Sequence, residues 1–221
     1  ILCSRVDGSR LLADSLSSVP NNVRTVVSAS AIGWYGPDPQ IPNGHPFTED
    51  MPAVDDFLGS TCQAWEASIG PVAKNGRRLV ILRTGIVLSK DGGALKEFLK
   101  PLRLGVAAIL GHGKQVISWI HIDDLVNMYI RAIEDEGLTG VYNAVAPVPV
   151  SNKQLVKEMA RARRKFFIPF HVPAFLLKWV LGEMSIEVLK SATVSAGKIK
   201  EAGFEFNYPT IETALSNLLQ K

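Results

Sequence analysis

The chain has 221 residues and a formal net charge of +3, from 24 basic and 21 acidic residues. Its content of 47% hydrophobic and 20% charged residues excludes a disordered, collagen-like or coiled-coil protein. The excess of positive charge is too small to predict nucleic-acid binding, and the apolar runs are far shorter than the ~20 residues that cross a membrane.

Short apolar strands alternate with amphipathic helices along the chain. The predicted strands cover residues 23–28, 79–82, 116–121 and 140–145. The predicted helices cover residues 1–18, 57–69, 94–103 and 123–134, and a further helix begins after Ser151. Asp55 and Asp56 cap the second of these helices, and residues 31–56 before it form a long loop rich in proline and glycine.

This alternation indicates an α/β fold with a Rossmann-like parallel sheet and helices on both faces. We expect residues 1–150 to belong to that domain and residues 151–221 to form a small, mainly helical α/β region on the substrate side. Two cysteines make no disulfide scaffold, which favours a cytoplasmic location.

Several common catalytic motifs are absent from the sequence. It contains no G-x-G-x-x-G, no Walker A, no H-E-x-x-H, no C-x-x-C and no G-x-S-x-G. The four histidines have no ligand spacing, so we predict no metal site.

Three segments near predicted strand ends carry the informative residues. They are Ser28–Pro37 (SASAIGWYGP), Leu82–Leu88 (LRTGIVL) and Gly111–Leu125, which contains Gly-His-Gly and Trp-Ile-His-Ile-Asp-Asp. Open α/β sheets bind their ligands at the carboxyl ends of the strands, which is where the first two segments lie.

The order and spacing of these segments resemble the extended short-chain dehydrogenase/reductases, the NAD(P)-dependent epimerase/dehydratase enzymes. Trp65-Glu66-Ala67, Arg83-Thr84-Gly85 and the tail over 190–210 resemble one branch in particular. That branch is the cell-division-inhibitor-like sugar-nucleotide epimerases with a C-terminal domain of unknown function. The resemblance covers essentially the whole chain.

The resemblance also bears on where the chain begins. Members of this superfamily start with βα units that carry the glycine-rich cofactor turn. The resemblance therefore implies that the chain is the C-terminal portion of a longer protein, with roughly 80 residues before Ile1.

The resemblance implies a catalytic Ser or Thr, and Ser30 occupies that position. The Tyr-x-x-x-Lys pair of the superfamily is missing, because Leu58 and Cys62 stand at its usual positions. Tyr35 is the alternative phenol, and His121 is an alternative proton donor or substrate contact. Each of these residues also has an interpretation as ordinary packing.

The cofactor implied by the resemblance is NADP, with NAD as the alternative. The predicted cofactor-binding residues are Arg5, Ser28, Cys62, Arg83, Gly85, Ile86 and Val87. The guanidinium of Arg5 suits a phosphate, although a solvated helix arginine is an equal interpretation. Trp119 and His121 are the predicted substrate contacts.

The function that the resemblance implies is an NAD(P)-dependent nucleoside-diphosphate-sugar epimerase or oxidoreductase acting on a small molecule, with a sugar nucleotide as the analogous substrate. The missing Tyr-x-x-x-Lys pair leaves enzymatic activity open. It keeps a catalytically degenerate, dinucleotide-binding regulatory or redox-sensing protein as the alternative. We expect no nucleic-acid or membrane partner, and a homodimer through an exposed sheet edge stays open.

Overall fold

The computed structural model describes residues 2–163, 167–173, 175, 176, 179, 182 and 189–219. The helices of this part are α1 (Leu2–Ser18), α2 (Phe57–Ile69), α3 (Pro71–Lys74), α4 (Gly93–Arg103), α5 (Ile122–Glu134), α6 (Asn152–Ala162), α7 (Gly197–Glu201) and α8 (Ile211–Leu219). Among the described residues, no helix has the length and apolar character needed to cross a membrane.

The strands are β1 (Thr25–Ala31), β2 (Arg78–Thr84), β3 (Ile86–Leu88), β4 (Val106–Leu110), β5 (Val116–Ile117), β6 (Trp119–His121), β7 (Gly140–Ala144), β8 (Val150–Ser151) and β9 (Ile168–Val172). β1, β2 and β7 form a parallel sheet in the order β1-β2-β7. The predicted parallel sheet is therefore confirmed.

Helices cover both faces of this sheet. On one face, Val26, Leu79 and Ile81 pack with Ala13 of α1, Ile69 of α2 and Val72 of α3. On the other face, Val80, Leu82 and Ala144 pack with Met128 and Ala132 of α5. This arrangement confirms the predicted Rossmann-like α/β class, because successive residues of each strand bury opposite sides.

A second core lies outside the three-stranded sheet. Leu88, Leu99 and Trp119 pack there with Leu155 of α6 and Leu215 of α8. β3 and β6 pair in parallel beside this core, as do β4 and β9, whereas β5 and β8 are antiparallel. The domain boundary expected at residue 150 stays a prediction.

The predicted strand over 116–121 is divided into β5 and β6 at Ser118. The Ser118 carbonyl accepts a hydrogen bond from the amide of Ile86, and its hydroxyl donates to the carbonyl of Ala192. Those bonds tie Ser118 to two different segments. β3 and β4 were not predicted, since each is short and lies close to glycines.

Two helices begin at the capping residues expected from the sequence. Asp56 caps α2 by accepting from the amide of Gly59, and Ser151 caps α6 by accepting from that of Gln154. The cap of α5 is His121, which accepts from the amide of Asp123, and Asp123 and Asp124 lie in the first turn of the helix. Asp124 is buried and accepts from the amides of Asn207 and Tyr208 in the C-terminal region.

Candidate functional site

A row of polar side chains crosses the sheet one residue before the carboxyl ends of β1 and β2. Ser30 pairs in register with Arg83, and Arg83 pairs with Asn143 of β7. All three are buried. Buried polar groups need partners, so this row has to be satisfied from neighbouring elements.

Glu66 of α2 is the main hydrogen-bond acceptor for this row. Its carboxylate accepts from Arg83 through Nε at 2.8 Å and Nη2 at 2.9 Å, and from the Ser30 hydroxyl at 2.7 Å. The side chains of Arg83 and Glu66 are only 3% and 9% exposed. Burial alone would lower the pKa of Arg83, but hydrogen bonds to Glu66 and Tyr35 raise it, so the guanidinium stays charged.

Tyr35 joins the same network from the turn that follows β1. Its hydroxyl donates to Oδ1 of Asn143 at 2.8 Å and accepts from Nη1 of Arg83 at 3.1 Å. Burial raises the pKa of Tyr35 despite the nearby guanidinium. The protons of Ser30 and Tyr35 are therefore both donated within the protein.

The network also anchors the long loop between β1 and α2. The Trp34 ring lies 3.6 Å from the guanidinium carbon of Arg83, and its indole nitrogen donates to the carbonyl of Met51. The Glu49 carbonyl accepts from Arg83, and the Glu49 carboxylate accepts from the amide of Asn143. Arg83 thus joins the sheet, α2 and this loop.

Cys62 lies on α2, against the end of β1. Its thiol is buried and lies 3.6 Å from the carbonyl of Ala31, and burial raises its pKa. A Cβ on Gly33 would meet Cβ of Leu58 at 3.4 Å and Sγ of Cys62 at 3.6 Å. The positions where the family places Tyr and Lys therefore present an apolar surface beside this turn.

Three further predicted cofactor contacts follow β2. Gly85, Ile86 and Val87 are half-buried. A Cβ on Gly85 would lie 2.6 Å from the carbonyl oxygen of Ser118, so only glycine fits this crossing. The Gly85 amide donates to the carbonyl of Ala144.

Ser28 and Arg5 are the remaining predicted cofactor contacts. Ser28 is half-buried on the sheet face that carries Ser30, and its hydroxyl donates to the carbonyl of Ala29. Arg5 is exposed near the start of α1, with its guanidinium carbon 4.8 Å from the Trp65 ring centroid. That stacking holds the side chain against α2.

Trp119 and His121 are buried in β6. The Trp119 indole donates to the carbonyl of Val148. The ring of His121 accepts from the amide of Asp123, pairs with Asn217 of α8 and stacks on Tyr208 at 3.8 Å. Neither ring has an exposed surface, and their substrate roles stay predictions.

The structure thus brings Ser30, Tyr35 and Arg83 together. Sequence reasoning missed the roles of Glu66, Glu49 and Asn143. An arginine directly after the predicted apolar strand 79–82 was a usable signal, because a buried guanidinium requires an acidic partner. The fold defines a Rossmann-like α/β protein, and this polar row lies near the carboxyl ends of β1 and β2.

Comparison with known families gives the identity of this class. Residues 2–144 match the NAD dependent epimerase/dehydratase family, and residues 172–218 match Domain of unknown function (DUF1731). The chain belongs to the NAD dependent epimerase/dehydratase family. This confirms the resemblance found from the sequence.

Individual relatives agree with this assignment. The chain is 34% identical to Epimerase family protein SDR39U1 homolog, chloroplastic, of Arabidopsis thaliana, covering 98% of this chain and 61% of that protein. It is 35% identical to Epimerase family protein YfhF of Bacillus subtilis (strain 168), covering 99% of this chain and 71% of that protein. The chain thus spans between three fifths and three quarters of the length of these relatives.

Solved structures show the same fold. Human epimerase family protein SDR39U1 (isoform2) with NADPH matches with a TM-score of 0.90 and 29% identity, over 100% of this chain and 74% of that one. The nucleoside-diphosphate sugar epimerase from Corynebacterium glutamicum matches with a TM-score of 0.77 and 31% identity, over 98% and 41%.

Proposed function

We propose that the chain binds NADP(H) at the carboxyl ends of β1 and β2 and takes part in epimerase or oxidoreductase chemistry on a small molecule. One observation carries the proposal: the whole chain superposes on a relative whose structure contains NADPH. NAD is the alternative cofactor, since another structure with the same fold, at 16% identity, contains NAD.

The residues at this edge fit the nicotinamide half of such a cofactor. The half-buried backbone of Gly85, Ile86 and Val87 would face the carboxamide, with Ser28 on the neighbouring strand. α1 runs back along β1, so the exposed Arg5 near its start lies toward the same edge and would pair with a phosphate. The bound cofactor would supply hydride transfer.

We expect the chain to bind the pyrophosphate of the cofactor weakly. The 221 residues contain no G-x-G-x-x-G turn, the element that places a helix N-terminus against these phosphates. We therefore expect this chain to bind NADPH with a dissociation constant no lower than micromolar.

Ser30 and Tyr35 are the proposed catalytic hydroxyls. Arg83 donates to the Tyr35 oxygen and would stabilise its ionised form, which is the task of lysine in the wider superfamily. Proton transfer through Tyr35 requires its phenol to exchange the bond with Asn143 for one with the substrate. Ser30, whose proton Glu66 accepts, would offer lone pairs to a substrate hydroxyl.

The proposed substrate class is a sugar nucleotide. Its support is the likeness to the Corynebacterium glutamicum enzyme, at 31% identity. We also propose a cytoplasmic location, residues 1–150 and 151–221 as the two domains, and a homodimer. β1 is an edge strand of the three-stranded sheet within the described residues, which makes it a candidate dimer contact. Sedimentation analysis tests the dimer.

A second candidate is a dinucleotide-binding protein without turnover. The observation that favours it is the apolar pair Leu58 and Cys62 where the family places Tyr and Lys. The internal hydrogen bonds of Ser30 and Tyr35 point the same way, because neither hydroxyl has a free proton.

Binding and turnover have to be measured separately. NADPH fluorescence would follow binding, and NADPH oxidation with carbonyl substrates together with epimerisation of nucleotide sugars would follow turnover. We expect Ser30→Ala and Tyr35→Phe to remove turnover while NADPH binding persists.

Tyr129→Phe is the matched control, since Tyr129 is a half-buried tyrosine of α5 outside the polar row. Binding without turnover in the unsubstituted chain would favour the second candidate. Absence of NADPH binding would refute both.

A further inference from the structure

The two-stranded sheet of β4 and β9 has an apolar face that points away from the core. Ala107 and Ile109 are core residues, so the alternating positions of β4 point outward. In register, Val106 pairs with Ile168 and Ala108 with Phe170. The outward side, called here the β4–β9 face, consists of Val106, Ala108, Ile168 and Phe170.

Large side chains of this face lie in solvent. Ile168 is 62% exposed and Phe170 is 54% exposed. Leu104 precedes Gly105, whose carbonyl accepts from the amide of Ile168, and it is 84% exposed. Exposed apolar side chains grouped in this way mark an interaction surface.

Positive charge is concentrated at one end of the β4–β9 face. β4 and β9 are parallel, so their first residues lie at the same end. α4 ends in Lys100 and Arg103 just before β4, and α6 ends in Arg161 just before β9. Glu97 pairs with Lys100 and Glu158 pairs with Arg161 one turn earlier, which offsets part of this charge, but the side chains of Lys100 and Arg161 are still 65% and 73% exposed.

The sequence around β9 has the same character. The 24 residues from Met159 to Gly182 contain no Asp or Glu, five Arg or Lys, and five Phe or Trp. Trp179 within this segment is 84% exposed. Cations next to apolar and aromatic side chains are the composition of surfaces that bind anionic lipid headgroups.

We propose that the β4–β9 face docks on the surface of an anionic lipid bilayer. Ile168 and Phe170 would enter the boundary between headgroups and acyl chains, and Arg103 and Arg161 would face the lipid phosphates. A second copy of the chain fits less well, because its cations would add to the positive charge of the face and would not neutralise it.

This docking is peripheral, and it departs from the expectation of no membrane partner, which considered only runs long enough to span a bilayer. It is also independent of the NADP(H) proposal, since Ile168 and Phe170 are outside the polar row around Arg83.

Vesicle co-sedimentation tests the proposal. We expect the chain to bind vesicles of phosphatidylglycerol mixed with phosphatidylcholine and to dissociate from them in high salt. We expect no binding to vesicles of pure phosphatidylcholine. Arg103→Gln with Arg161→Gln should weaken binding by about fivefold for each cation. Ile168→Ser with Phe170→Ser should abolish it.

Leu11→Ser is the matched control, because Leu11 is 70% exposed on α1. Phe170→Trp places a reporter of insertion in the β4–β9 face itself, and its emission should shift to the blue on anionic vesicles but not on pure phosphatidylcholine. Circular dichroism verifies folding, and if the serine variant unfolds, the arginine variant decides.

Three results would overturn the proposal. They are equal binding to both kinds of vesicle, binding that persists in the folded serine variant, and a solution dimer that this variant abolishes. The last result would make the face an interface between two copies.

Discussion

The buried ion pair between Arg83 and Glu66 allows one stringent prediction. Glu66 accepts three hydrogen bonds, two from Arg83 and one from Ser30. Glu66→Gln keeps the shape and one oxygen, but it turns an N–H toward a nitrogen of Arg83 that can only donate. The guanidinium then loses, in the core, the carboxylate with which it forms its ion pair.

The size of the effect follows from the burial of both partners. Removing one member of a buried pair costs about 3–5 kcal/mol, and the remaining acceptors near Arg83 place Glu66→Gln at about 3 kcal/mol. For a chain of this length, that loss lowers the melting temperature by roughly 6–12 °C.

Urea unfolding followed by circular dichroism measures the difference directly. Glu97→Gln is the matched control, because Glu97 pairs with Lys100 on the surface, where their side chains are 67% and 65% exposed. It should leave the free energy of unfolding unchanged. A loss below about 1 kcal/mol in Glu66→Gln would contradict the importance given to this pair.

Three other predictions concern the surroundings of the site. Burial lowers the pKa of His121, so the folded protein resists its protonation. The contribution of neutral His121 to stability is complete above about pH 6.5 and is lost as the pH falls through its lower pKa in the folded state. In urea unfolding, the free energy of unfolding of His121→Gln should therefore depend less on pH than that of the unsubstituted chain. The same pH dependence in both proteins would contradict this role. Gly85→Ala forces a Cβ against a carbonyl oxygen at 2.6 Å and should cost about 1–3 kcal/mol in urea unfolding, whereas Gly44→Ala, with open space around it, should cost nothing measurable. Asp38 accepts from the amide and the hydroxyl of Thr193, so Asp38→Asn should speed hydrogen exchange at that amide, and unchanged exchange would disprove the role.

The sequence was sufficient for the fold class because the apolar periodicity is strong in the elements of the main sheet. β2 was expected over 79–82 and extends to Arg78–Thr84. The extension includes Arg83, which is buried. Because Arg83 is charged, a search for apolar runs does not count it as part of a strand. β4 and β9 were missed as a pair, because their contact joins positions about 60 residues apart.

The candidate site was predictable in its location but not in its connections. Ser30, Tyr35 and Arg83 were selected from motif position, and the structure places them in one hydrogen-bond network through Glu66. Their partners Glu66 and Glu49 come from a helix and an irregular loop. Which carboxylate meets Arg83 depends on how those elements pack, and no local pattern contains that information.

The most direct test of the proposed cofactor site is a fluorescence titration of the 221-residue chain with NADPH. We predict saturable binding with a dissociation constant no lower than micromolar, and we predict that Arg5→Ala weakens it by removing the guanidinium proposed to pair with a cofactor phosphate. Absence of saturable binding would contradict the cofactor proposal. Submicromolar affinity would contradict the role given to the glycine-rich turn that this sequence lacks.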